Sequence, residues 1–315
     1  MNTKRFLKFL GPWIITVTCF GFLYNRLSSA AQYEGMEVAG YLGAIFSSVD
    51  WIAWLCLMIP YSFIFLIIDT CVLWRTINWW NAPINFRKLL PLRASAYIIS
   101  ILNEQVGKGA IALYINRKYQ VPGWELGSTM LIIMYCELIY LLLWASLGVL
   151  YHPSELPTEM RIFHVIPVIG IFGIILLVAI PMLFRNVKFQ NSGFFSSKIF
   201  FSVRKANFCK YLTVMAIKTP SLLIGVWVYS KSIALFGIDV SFREMLSILP
   251  VIFFGTFIPG PFRAVAVSLW PALYSDTPGA AASFGFVQHN FFILFNATIG
   301  LLFLSNANRN LKSKT

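Results

Sequence analysis

Six apolar runs long enough to cross a bilayer, at about 9–27, 51–74, 128–150, 162–184, 211–236 and 280–304, decide what this chain can fold into. Each is about 20 residues long, which a helix needs to cross the ~30 Å hydrocarbon core of a bilayer. Two further runs, about 94–115 and 245–274, are apolar but punctured by Gly, Pro and charge. With 58% hydrophobic and 12% charged residues among 315, no water-soluble core could hide this much apolar surface. Lipid has to solvate the rest. The 13 Tyr and 10 Trp fit that reading, because both side chains favour the membrane–water boundary. The expected class is an all-α polytopic membrane protein. Residues 1–315 form a single integral membrane domain, since no polar stretch is long enough to fold by itself.

Charge placement then sets the topology. The formal net charge of +13 does not indicate nucleic acid, because Lys and Arg cluster in short loops between apolar runs. If both punctured runs turn back on the side they entered, 18 of the 25 basic residues fall on one face, as in the loops holding Arg75, Arg87, Lys88 and Arg93, or Arg185, Lys188, Lys198, Arg204, Lys205 and Lys210. The opposite loops hold Glu34, Glu37, Asp50, Glu155, Glu159, Asp239, Glu244 and Asp276. If both runs crossed, the basic loop 185–210 would face outward, against the positive-inside bias. The expectation is six full spans and two re-entrant helical hairpins, with both termini cytoplasmic, in the inner or plasma membrane. The halves, about 9–150 and 162–304, then read span, span, hairpin, span in opposite directions, an inverted-topology repeat of the kind used by secondary transporters. Hydropathy and charge carry this symmetry; residue identity between the halves does not.

Several functions are excluded. The five Cys form no CxxC and His152, His164 and His289 are scattered, so neither a metal site nor a cofactor is expected. The sequence carries no Walker A motif, GxSxG or HExxH, which removes ATP-driven transport within this chain. At the N-terminus, basic Met1–Arg5, apolar Phe9–Tyr24 and Ser28-Ser29-Ala30 resemble a signal peptide, but Asn25 and Arg26 interrupt it and favour an uncleaved first span.

The punctured runs hold the candidate chemistry. In the first, Asn103-Glu104-Gln105-Val106-Gly107-Lys108-Gly109 places polar groups at membrane depth, where irregular backbone survives only inside protein or beside a watery cavity. Its glycines suit a tight turn. Glu104 and Lys108, four apart, either neutralise one another or present Lys108 to an anionic headgroup that Glu104 orients. In the second, Pro259-Gly260-Pro261 stops a helix and Arg263 follows, near a new helix start whose exposed N–H groups attract anions. The guanidinium fork of Arg263 suits phosphate, or it snorkels to the surface. Lys108 and Arg263 are thus expected to make paired phosphate contacts. Asp69, Glu137 and Lys218 are further intramembrane charges, candidates for proton coupling or buried pairing. Asp69 is placed to cap its span or pair with Arg75, and Glu137 with Lys218 across the bundle. In loop 185–210, Phe189, Phe194, Phe195, Phe200, Phe201 and Phe208 alternate with basic residues, as in an interfacial segment or a solvated basic loop.

The stretch Ala94–Gly148, with Asn103, Gly107, Arg117 and Glu137, and the stretch Leu249–Gly300, centred on Pro259-Gly260, resemble the flippase-like family that includes the transmembrane domain of lysylphosphatidylglycerol synthetases. Glu104-Gln105-Val106 stands where that family often has a Pro before the first Gly, and Pro261-Phe262-Arg263 where it continues into glycines and a Glu. The sequence shows no soluble aminoacyl-transfer domain, so aminoacylation is not implied. The resemblance implies translocation of a phospholipid or lipid-linked precursor between leaflets. The charged and polar residues of the punctured runs and the positions that carry the resemblance together give the substrate-binding candidates Asn103, Glu104, Gln105, Lys108, Arg117, Pro259, Gly260 and Arg263. The expected partners are membrane lipids, anionic or phosphate-bearing. The other readings are a membrane enzyme of envelope biosynthesis, or a scaffold for a protein of that pathway.

Overall fold

A backbone in lipid has to satisfy its own polar groups, and this chain does so with helices. The computed structural model describes residues 3–101, 104–151, 164–185, 193, 196–258 and 263–312, and all their regular structure is helical. In chain order the α-helices are α1 (Thr3–Tyr33), α2 (Val38–Ser48), α3 (Trp51–Trp80), α4 (Phe86–Ser100), α5 (Glu104–Tyr119), α6 (Gly123–Tyr151) and α7 (Ile166–Arg185). A 3₁₀ turn (Lys198–Phe200) leads into α8 (Phe201–Lys205), followed by α9 (Phe208–Ala234), α10 (Phe242–Gly255), α11 (Ala264–Leu273) and α12 (Pro278–Lys312). Polar side chains start them. Asp50 accepts from Ile52 N–H at 3.1 Å and Ala53 N–H at 3.0 Å, and Asn85, Asn207 and Ser241 cap α4, α9 and α10 in the same way.

Among the described residues, five helical stretches are long and apolar enough to cross a membrane: Trp51–Trp80, Gly123–Tyr151, Ile166–Phe184, Phe208–Ala234 and Pro278–Leu304. The expected first span, 9–27, lies in α1, whose side chains are described from Gly11 onward, and that described part is not among the five. Each punctured run is a pair of short helices folded on itself. In the first pair, Gly107 of α5 lies against Ser100 and Ala96 of α4. Gly107 therefore serves the packing of the arms rather than the turn, while Gly109 faces open space. In the second, Gly255 of α10 lies on Ala266 of α11.

The charges divide unevenly between the ends of the bundle, with Glu125 among the cations at one and Lys231 and Arg243 among the carboxylates at the other. Where α3 ends and α4, α6 and α9 begin, Asn81 accepts from Thr129 at 2.7 Å, and Arg75, Arg87, Lys88 and Lys210 gather. Where α9 ends and α3, α10 and α12 begin, Trp51 packs on Phe236, Tyr274 donates to Glu244 at 3.3 Å, and Asp50, Asp239 and Asp276 gather.

Packing repeats between the halves. With α1, α3, α4, α5 and α6 set against α7, α9, α10, α11 and α12, the neighbours correspond: α6 on α7 and α12 on α1, α3 on α4 and α9 on α10, α5 on α6 and α11 on α12. The closest cross-contacts are α4 on α12 and α10 on α6, and a glycine makes each possible. A Cβ on Gly148 of α6 would sit 2.6 Å from the Ser247 Cα of α10, and one on Gly300 of α12 would meet the Ala94 carbonyl of α4. Lacking side chains, these two let the helices touch backbone to backbone.

Candidate functional site

Among the described residues, five charged side chains meet where α3, α4, α5, α6 and α9 converge, four of them buried and the fifth, Glu137, partly so. Asp69 of α3 pairs through Oδ2 with Arg93 Nε of α4, and its Oδ1 lies 3.7 Å from Lys218 Nζ of α9. Glu137 of α6 receives Lys108 Nζ of α5 on Oε2 at 2.9 Å and Lys218 Nζ on Oε1. The chain Arg93–Asp69–Lys218–Glu137–Lys108 thus joins both halves of the protein. Arg93 is 1% exposed, so its charge depends on these partners. Its guanidinium also lies 4.3 Å from the Tyr97 ring centroid, and Tyr140 O–H donates to the Lys218 carbonyl at 3.2 Å.

Two cavities flank this chain. The larger holds about 730 Å³ of empty space counted out to its mouth. Asp69, Glu137, Lys218 and Arg263 supply its charge, and Tyr61, Phe65, Tyr140, Tyr229, Phe253 and Phe292 are among its aromatic walls. The smaller, about 260 Å³, lies between Asp69, Arg93 and Lys108 on one side and apolar Ile111, Met130 and Ile133 on the other. Asp69 belongs to both. Such a combination accepts a molecule that is part charged and part greasy: cations hold an anionic group while rings and aliphatic side chains cover an apolar body.

Arg263 reaches the larger cavity from an unusual backbone position. It precedes α11 with φ +51°, in the left-handed region that a non-glycine residue rarely occupies. Its guanidinium lies 5.2 Å from the Phe292 ring centroid.

The structure therefore redistributes the residues expected to act together. Arg263 lines the larger cavity but Lys108 lines the smaller, held by Glu137; Lys218 is the lysine that shares a cavity with Arg263. Glu137 and Lys218 do pair across the bundle. Asp69 pairs with Arg93 rather than Arg75, whose guanidinium lies over Trp74. Arg117, near the end of α5, is exposed and lines neither cavity. Asn103, Pro259 and Gly260 lie outside the described residues, as do the side chains of Glu104 and Gln105.

Arg93 was assigned by charge counting to a surface loop and instead sits in the core. The signal for it was local: Leu89 to Ile99 is apolar on both sides of Arg93 and offers the charge no short route to water. A second polar centre was also missed. Trp54 Nε1 donates to Gln288 Oε1 at 3.1 Å, Gln288 Nε2 lies 2.9 Å from Met58 Sδ, and Trp270 Nε1 donates to His289 Nε2 at 3.1 Å, all buried. Gln288 and His289 occupy the stretch of α12 that corresponds to Glu137 in α6.

Fold and site together define a polytopic all-α membrane protein whose helices enclose an ion-pair chain and a charged, aromatic-walled cavity. The chain matches no protein-family model, no curated protein and no solved structure.

Proposed function

We propose that this protein is a flippase-like transporter, which binds the phosphate-bearing headgroup of a lipid or lipid-linked precursor in the larger cavity and passes it between leaflets. The observation that carries this reading is Arg263 and Lys218 on the wall of one aromatic-lined cavity within a bundle of membrane-length helices. Guanidinium and ammonium groups hold phosphate, and the rings give the adjoining apolar portion a surface to lie on. Asn103, Glu104 and Gln105 would contact polar headgroup atoms.

In this reading α1 is a sixth span, and the α4–α5 and α10–α11 pairs are re-entrant hairpins entering from opposite faces of the inner or plasma membrane, with both termini cytoplasmic. The matched packing of the two halves supports an inverted-topology repeat. So does the uneven division of basic and acidic residues between the ends of the bundle.

The test is exchange of fluorescent phosphate-bearing lipid between leaflets of reconstituted vesicles. Arg263→Gln and Lys218→Gln are each expected to reduce the protein-dependent rate by at least about tenfold, the value of one charge-assisted contact. Wild-type rates in both folded variants would refute the assignment. Chemical turnover of the lipid in detergent micelles, where leaflets do not exist, would make the protein an enzyme instead.

A further inference from the structure

We propose that the basic end of the bundle is a binding surface for anionic phospholipid headgroups, organised around lysine–aromatic stacks and held in place by the buried Ser202. It does not rest on the transport reading, since it concerns a surface outside both cavities.

The segment joining α7 to α9 is anchored to the bundle. Ser202 of α8 is fully buried: its N–H donates to Ser128 Oγ at 2.9 Å, and its hydroxyl lies 2.9 Å from Thr129 Oγ, both on the first turns of α6. Thr129 in turn donates to Asn81 at the end of α3. One serine thus ties the basic segment to two membrane-length helices.

Anchoring fixes the cations above rings. Lys198 Nζ lies 4.8 Å from the Trp124 ring centroid, Lys205 Nζ lies 3.9 Å from that of Phe201, and Lys210 Nζ lies 5.6 and 5.5 Å from those of Trp79 and Trp80. Exposed apolar groups stand beside them: Trp124 at 49%, Ile199 at 46% and Phe208 at 39%. In water such exposure would be unfavourable. At a headgroup layer the rings and Ile199 sit at the acyl boundary while the ammoniums reach the phosphates.

Charge selects the headgroup. Arg75, Arg87, Lys88, Arg117, Lys198 and Lys205 are exposed at this end, and Glu125 is the one carboxylate there among the described residues with described side chains. Zwitterionic headgroups gain little from such a field, whereas an anionic one gains about fivefold in occupancy for each basic side chain it meets.

The test uses the full chain reconstituted in zwitterionic bilayers doped with spin-labelled phosphatidylglycerol or spin-labelled phosphatidylcholine. The motionally restricted fraction of each label gives their relative affinity for the protein. Wild type is expected to prefer the anionic label by about fivefold or more, with the preference falling at high salt. Lys198→Gln/Lys205→Gln/Lys210→Gln should bring the ratio close to one, while the triple Lys→Arg variant, which keeps charge and ring stacking, should retain it. Equal affinity of wild type for the two labels would overturn the proposal. So would a folded triple-Gln variant with undiminished preference. If the triple variant does not fold, Lys198→Gln alone decides, and an unchanged, salt-insensitive ratio in it would refute the surface.

Discussion

Glu137→Gln is the sharpest perturbation of the ion-pair chain, because one carboxylate there serves two lysines from different helices. At the 2.9 Å Lys108 contact, an effective dielectric of about 20 gives an attraction of roughly 6 kcal/mol. The glutamine amide recovers part of it by accepting one hydrogen bond, so a net loss of about 3–5 kcal/mol is expected, the usual cost of orphaning a buried charge. At roughly 2 °C per kcal/mol for a large domain, the melting midpoint in detergent should fall by about 6–10 °C. Adding Lys218→Met removes the ammonium that Glu137→Gln leaves with Asp69 alone at 3.7 Å, and Asp69 keeps Arg93, so the double variant should melt above Glu137→Gln alone. Intrinsic tryptophan fluorescence during heating reads all three proteins. An unchanged midpoint in Glu137→Gln, or strict additivity within about 0.5 kcal/mol in the double variant, would refute the network as a coupled unit.

Two further substitutions test the packing. Gly148→Ala forces a methyl group onto the Ser247 backbone and should cost about 1–3 kcal/mol, and Gly300→Ala at the matching crossing should cost a similar amount, both read as midpoints in thermal unfolding. Destabilisation at one crossing alone would break the equivalence of the halves. Ser128→Ala leaves the buried Ser202 N–H without its acceptor and should cost about 1–3 kcal/mol, with faster limited proteolysis between α7 and α9; an unchanged digestion rate would show that the anchor does not hold that segment.

Much of this architecture is written in hydropathy. The runs at 51–74, 128–150 and 211–236 correspond to α3, α6 and α9; α3 continues past its run by six residues and α6 begins five residues before its own, because helices continue into the interface where polar residues are solvated, while α9 is shifted by two to three residues. Short α2 was not anticipated. It runs through Gly40 and Gly43, and at 11 residues it falls below the length that spans a membrane. The site was legible in composition but not in geometry. Glu137 and Lys218 lie deep in apolar runs, so a mutual pairing was the economical expectation. The apolar flanks of Arg93 mark it as buried, but only the fold brings Asp69 opposite it. The correspondence of Gly148 with Gly300 was invisible for a different reason. It is a steric equivalence between non-identical surroundings, which appears once each glycine meets the opposite half's helix.

The crossed seating of α4 on α12 and α10 on α6 has a consequence for how the protein is made. Neither half can finish its own core: Trp54 waits for Gln288, 234 residues later, and the α4 face that meets Gly300 stays bare until the last helix is synthesised. During translation the early helices can pack on one another, but the α4 face that seats α12 has no protein neighbour for most of the chain's length. Until α12 arrives, lipid has to cover that face, and a chain that stops short of α12 keeps the groove open.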